Sequence, residues 1–296
     1  MDLQVNFGTL RLDDSREASL QHLPFGNPVR GNISKASFDD VDRLLFRLFD
    51  HKSEGFNDEL WAKSRDATLS RLNHDQDILS RHDIVSVATM LSRYLWWEGR
   101  DGNEDNLISW TSSLLFVFQY ALYRLRHHGT DFKRMFICVV DTQGLPEHTF
   151  LRDTVLIDMY APFSGRLAQM QQLRQGPHYF GEFLSQGALS IEGQCSIVSM
   201  QDVIDTGLFQ LRPEWEDFEN MPVKWANTVV ELRQSDAIET TIMDLETDNL
   251  ETAEHIGDLF GAPFKWPVAL ACLTLKPWRN IEDQIMETWR GSAYAA

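Results

Sequence analysis

Met135-Phe-Ile-Cys-Val-Val-Asp141 is the stretch that most narrows what this chain can become. Its apolar residues fall on both faces of an extended segment, so it reads as a buried strand inside a sheet rather than a half-wet one. The segment before it has a different period. Leu114, Leu115, Phe118, Ala121, Leu122 and Leu125 form a broad helical stripe that ends near Gly129, a residue suited to the left-handed cap that closes a helix. Ser112 or Thr111 is placed to cap its start.

The other elements arrange themselves around that helix and strand. Residues 1–36 carry Gly, Pro, Asn and scattered charge without periodicity and read as an irregular lead-in. Leu44-Leu-Phe-Arg-Leu-Phe-Asp50 alternates Leu45, Arg47 and Phe49 with Phe46 and Leu48, as a strand would. Ile84, Val87, Ala88, Leu91 and Leu95 mark one helix face whose packing Trp96 and Trp97 complete, and Glu98 to Asn106 is a polar loop. Thr154 to Tyr160 reads as a second strand, and Gly165 to Arg174 as a short helix. Glu182 to Leu184 and Ala188 to Ile191 read as strands flanking a Ser185-Gln-Gly turn. Ser196 to Met200 leads to a short helix before Gly207. Helices first and strands later imply α+β architecture over 37–213. Beyond Pro213 come an acidic connector, a helical or mixed stretch from Lys224 to Leu245, and helices at Thr252 to Phe260 and Val268 to Leu275, punctuated by Pro263, Pro267 and Pro277. Residues 214–296 are therefore expected to form a mainly helical region packed on the core.

Charge and apolar content bound the function. A formal charge of −17 disfavours nucleic acid or an anionic membrane as the partner of the whole surface. No segment reaches the ~20 apolar residues of a membrane span, and Met1-Asp-Leu-Gln-Val-Asn lacks a signal peptide's character, so an intracellular, cytoplasmic location is expected. Cys138, Cys195 and Cys272 have no pairing or metal spacing and read as core thiols. Arg124, Arg126, His127, His128, Lys133 and Arg134 suit the end of a helix, although a basic groove for a dinucleotide phosphate is the alternative.

Chemistry is suggested by one constellation in chain order: Arg47, the cluster Ser109-Trp-Thr-Ser-Ser113, and Glu182 in Gly181-Glu-Phe-Leu-Ser-Gln-Gly187. The stretch from about Leu44 to Pro213 resembles a domain of unknown function found in many fungal proteins. In it recur Ser-Trp-Thr-Ser-Ser, an aspartate-ending strand like Val139-Val-Asp141, Gly-Glu-(Tyr/Phe)-Leu-Ser-Gln-Gly and Gly-Leu-Phe. These motifs are similar in turn to the arginine, serine-threonine-serine and glutamate pattern of toxin-like ADP-ribosyltransferases. The resemblance implies an ADP-ribosyltransferase-like mixed β core with flanking helices, NAD as substrate, and no metal. It assigns Glu182, Ser112 and Arg47 to catalysis, and Arg47, Ser109, Thr111, Ser112 and Ser113 to NAD binding. In such a site Glu182 favours positive charge developing on the ribose, the hydroxyls orient the sugar, and Arg47 grips a phosphate. One position departs from the pattern: transferases that modify arginine or asparagine carry Gln or Glu two residues before the glutamate, where this chain has Phe180, so the resemblance implies either an unusual acceptor or an NAD glycohydrolase or NAD-binding protein that has lost transfer.

Each motif also has a plainer explanation: an N-cap with a core tryptophan, an exposed strand glutamate, and an ordinary hairpin turn. An inactive fold of the same kind, serving as a protein-interaction module through Trp215, Trp225, Trp266, Trp278 and Trp289, is the competing expectation. A hydrolase built on His127 or His128 with Asp141 and Ser112 is the other. A protein acceptor or protein partner is expected under the first two.

Overall fold

The computed structural model describes residues 22–29, 31, 33–98, 104–217, 225–238 and 243–279. Most of the expected lead-in, part of the polar loop and Trp289 lie outside these residues. The strands are β1 (His22–Leu23), β2 (Leu44–Asp50), β3 (Phe56–Asn57), β4 (Trp61–Lys63), β5 (Leu107–Thr111), β6 (Met135–Asp141), β7 (Leu151–Arg152), β8 (Glu182–Ser190), β9 (Cys195–Ser199), β10 (Met243–Asp244) and β11 (Trp278–Arg279). The helices are α1 (Lys35–Asp39), α2 (Arg65–Thr68), α3 (Ile84–Leu95), α4 (Leu114–His128), α5 (Asp153–Tyr160), α6 (Gly165–Arg174), α7 (Met200–Asp205), α8 (Leu208–Leu211), α9 (Trp225–Ile238), α10 (Thr247–Leu259) and α11 (Lys265–Leu273).

The architecture is α+β. One curled sheet runs β3-β4-β8-β5-β2-β6-β9, with β1 and β7 also paired to β8. Every pair in it is antiparallel, where a mixed sheet was expected. β6 lies between β2 and β9 and is buried on both faces, as its composition requires. Met135, Ile137 and Val139 join the core under α4, while Cys138 and Val140 join a second core with Trp110 and Phe183. The first core continues into α10 and α11 through Leu250, Ile256, Val268 and Cys272, so the C-terminal helices share its apolar interior. A third core packs α3, α5 and α6 against Leu107 and Leu184.

Helix α4 begins at Ser113, whose hydroxyl accepts from the Phe116 amide, and not at Ser112 or Thr111. It closes on Gly129 in the left-handed conformation, φ 60°. Two elements correct the sequence expectation. Thr154 to Tyr160 is helical, because its buried residues Leu156, Ile157 and Tyr160 recur at helical spacing against α3 and α6. Ser185-Gln-Gly is no turn: β8 runs unbroken, and Gly187, at φ 64°, is the bulge where His22 faces both Gly187 and Ala188. Ser185 and Gln186 are buried in the strand because Trp110 Nε1 donates to Ser185 Oγ at 2.9 Å and Gln186 bonds Ile78, Pro24 and Asp77. Cys138 and Cys272 are buried, whereas Cys195 is half-exposed. Among the described residues no helix is long and apolar enough to cross a membrane.

Candidate active-site cleft

β2, β5 and β8 lie side by side, which brings the arginine, serine and glutamate segments together. β5 and β8 are fully laddered, with Thr111 opposite Glu182 and Ser109 opposite Leu184. β2 and β5 share only the pair Phe46–Thr111. Regular register would next set Leu48 opposite Ser109, but no ladder pair forms there. The Arg47 guanidinium donates instead to the Ser109 carbonyl at 2.9 Å and to Asn57 Oδ1 at 3.0 Å. A cleft of about 600 Å³ lies at this separation, with Arg47, Ser109, Thr111 and Glu182 in its wall. That volume is of the size small-molecule sites take.

Glu182 is held from both of its carboxylate oxygens. Ser109 donates to its Oε1 at 2.8 Å. The Tyr94 hydroxyl from α3 lies 2.8 Å from Ser109 Oγ and is the donor in that pair, since Ser109 gives its proton to Glu182. Arg174, at the end of α6, donates to Glu182 Oε2 at 2.5 Å and to Asp153 Oδ2 at 2.6 Å. Asp153 is fully buried, and burial pushes its carboxyl up to about 7; Arg174 opposes that rise and Glu182 adds to it. Burial works against the Arg174 charge, but the two carboxylates more than offset it and hold the guanidinium above its ordinary value. A cation between two carboxylates thus anchors one flank of the cleft. Tyr94, Asp153 and Arg174 carry no local sequence signal, since their partners lie far away along the chain.

The serine motif divides between two surfaces. Ser109 and Thr111 point into the cleft side of β5, although Thr111 is spent on structure: its hydroxyl donates to the Phe180 carbonyl at 2.6 Å and accepts from the Ser113 amide. Ser112 and Ser113 fall past the strand's end and line a neighbouring groove of about 750 Å³. The Ser112 amide bonds the Gly181 carbonyl at 3.0 Å. Gly181 has φ 66°, and a Cβ there would stand 2.3 Å from Ser112 Oγ, so only glycine lets β8 start against β5 in this way. Arg47, Ser109, Thr111 and Glu182 therefore meet at the cleft, while Ser112 and Ser113 stand outside it.

The cleft's far wall is aromatic. Trp97 and Trp225 stack with centroids 4.9 Å apart, and Phe116 and Tyr120 of α4 pack beside them. The basic cluster is divided between structure and cleft: Arg124 and His128 line the cleft, while Lys133 and Arg134 lie in the turn that leads into β6. Arg124 pairs with buried Asp50 at 2.6 Å, while Arg126, His127 and His128 end α4. Burial alone would raise the Asp50 carboxyl, but the Arg124 charge and its hydrogen bonds hold it below the usual carboxylate range. The hydrolase expectation fails on distance. Ser112 precedes α4 and His127 and His128 end it, about 20 Å apart at ~1.5 Å per residue. Asp141 ends β6 and pairs with exposed Arg43. Of the tryptophans, Trp215 is fully buried and donates to Gln119, so it offers no surface.

Residues 40–192 match the family described as Domain of unknown function (DUF7587). That span is more than half of the chain. The chain belongs to the DUF7587 family. Arg47, Tyr94, Ser109, Thr111, Asp153, Arg174 and Glu182 all lie inside the DUF7587 span, whereas α9 and Trp225 lie beyond it. No curated protein and no solved structure gives a match to the chain.

Proposed function

We propose that the cleft binds NAD and that the chain is an ADP-ribosyltransferase-type enzyme, with an ADP-ribosyltransferase-like core, which breaks the bond between nicotinamide and ribose. The observation that carries this reading is the convergence of Arg47, Ser109 and Glu182 on one cleft from three neighbouring strands. Bond breaking leaves a ribose with cationic character, and a carboxylate fixed beforehand beside it lowers the barrier without reorganisation. Glu182 is fixed in this way by Ser109 and Arg174, and its oxygens retain lone pairs for a ribose hydroxyl. Arg47 is steadied in the cleft wall by Ser109 and Asn57, and a planar guanidinium fork held in that way suits a phosphate.

The test is nicotinamide release from NAD by the full chain, measured beside Glu182→Ala. Release that Glu182→Ala abolishes while circular dichroism stays unchanged supports the reading; equal release by both proteins refutes the role of Glu182. A second reading is favoured by one specific observation: Arg174 neutralises Glu182, which weakens its pull on a developing cation. On that reading the cleft is a catalytically inactive ADP-ribosyltransferase-like fold that works as an interaction module. NAD binding in saturation-transfer NMR without any nicotinamide release favours it.

A further inference from the structure

Helix α9 lies beyond the family span, yet it holds all three residues that lead to Gly181 and Glu182. Asn227 Oδ1 lies 3.1 Å from His178 Nε2. Arg233 donates to the Tyr179 carbonyl at 2.9 Å and reaches across to Ser113 Oγ at 3.1 Å. Phe180 is 4% exposed, packed with Val229 and Val230, and carries the Arg233 guanidinium 5.2 Å above its ring. The same helix sets Trp225 into the cleft wall, where it meets Trp97 face to face. Trp97 takes φ 53°, the left-handed position just past the end of α3, where the Glu98 amide bonds back to the Arg93 carbonyl. Phe180, the position that departs from the transferase pattern, is thus the anchor for α9.

We propose that α9 is the acceptor-side wall of the cleft and that the second substrate is water; this rests on the function proposed above. A protein acceptor must lay its own surface against the residues bordering the reacting sugar, and a standard interface covers about 800 Å² on each partner. Here the border that precedes Glu182 is already covered by a helix of the same chain. The nucleophile must also come within about 3–3.5 Å of the sugar carbon, which water does without displacing α9. The step balances. The bond from the ribose anomeric carbon to the nicotinamide nitrogen breaks with its electron pair leaving on nicotinamide. The water oxygen bonds that carbon, and its proton passes by way of the Glu182 carboxylate to solvent. The products are ADP-ribose, neutral nicotinamide and a proton, with no change of oxidation state.

The test uses the full chain with NAD labelled in its adenylate phosphate, in the presence of polyarginine and a mixture of soluble proteins. Nicotinamide, free ADP-ribose and label on polypeptide, including the chain itself, are measured together. The expected result is equal molar release of nicotinamide and free ADP-ribose, with no label on polypeptide. Label on polypeptide at the rate of nicotinamide release overturns the water assignment and leaves the functional reading standing. Absence of any nicotinamide release overturns the functional reading and the water assignment with it. Loosening the wall with Phe180→Ser and Arg233→Ala together is expected to divert at least a tenth of the ADP-ribose to polypeptide in a protein whose circular dichroism is retained. Continued release to water alone by that folded variant overturns the role of α9.

Discussion

Replacing Asp153 by asparagine is expected to stabilise the protein at neutral and alkaline pH, although Asp153 is ion-paired. Its carboxyl stands at about 7 in the fold against 3.8 for an unperturbed aspartate, chiefly because it is buried. A carboxyl whose folded pKa is raised holds a proton that the unfolded chain has lost, so folding stability falls as pH rises between the two values. The difference of about 3 units corresponds to about 4 kcal/mol at roughly 1.36 kcal/mol per unit, reached once pH passes the folded value. In Asp153→Asn the side-chain amide mimics the neutral acid and can still accept the Arg174 Nε–H, while Arg174 keeps Glu182 as its ionic partner. Urea unfolding from pH 4 to pH 8.5 measures this. At about pH 4, near the unperturbed aspartate value, the two proteins should be nearly equal in stability. The variant should then gain on wild type by roughly 1.4 kcal/mol per pH unit and level off above pH 7. A stability difference that is flat across this range, or a wild type more stable at pH 8, refutes the assignment of a buried, neutralisable Asp153.

Other perturbations probe the cleft and its supports. Glu182→Gln keeps the contacts to Ser109 and Arg174 in shape but removes the charge, and should lower nicotinamide release by about 10²–10³-fold in a steady-state assay. Gly181→Ala puts a Cβ into Ser112 at φ 66° and should cost about 1–3 kcal/mol in chemical denaturation, a loss that Ser112→Gly relieves in part. Arg124→Met leaves Asp50 buried without its cation and should cost about 3–5 kcal/mol. Because the Asp50 carboxyl is depressed in the fold, the stability it contributes is present above the ordinary aspartate value and is lost as pH falls through the lower folded value, so Arg124→Met should also flatten the acid limb of the stability profile. Ser113→Ala removes both the α4 cap and an Arg233 partner, and a drop in melting temperature matching about 1 kcal/mol is expected by calorimetry.

What could be read from the sequence was what local pattern determines. The stripe on α4, the left-handed stop at Gly129 and the two-faced apolar run of β6 are each written in adjacent residues, and each stands where it was expected. Thr154 to Tyr160 misled because a short apolar run has no period strong enough to separate strand from helix; α3 and α6 decide it by covering one face. Ser185-Gln-Gly looked like a turn because its partners, Trp110, Asp77 and Ile78, are distant in sequence and satisfy polar groups that locally demand solvent. The candidate site divides in the same way. Arg47, Ser109 and Glu182 sit in recognisable segments. Arg174 and Asp153 enter only through the packing of α5 and α6, and the exclusion of Ser112 depends on where β5 ends.

The lone Phe46–Thr111 pair gives the sheet a mechanical character as well as a chemical one. Two well-laddered halves, β2-β6-β9 on one side and β4-β8-β5 on the other, meet at a single rung. Few backbone hydrogen bonds join the halves at that rung, so they are held there by the Arg47 fork from β2 to β5 and by the core that Leu45 shares with Ile108, Trp110 and Phe183. A ligand that bridges the halves would therefore slow amide exchange in both ladders at once, although it touches neither of their outer strands.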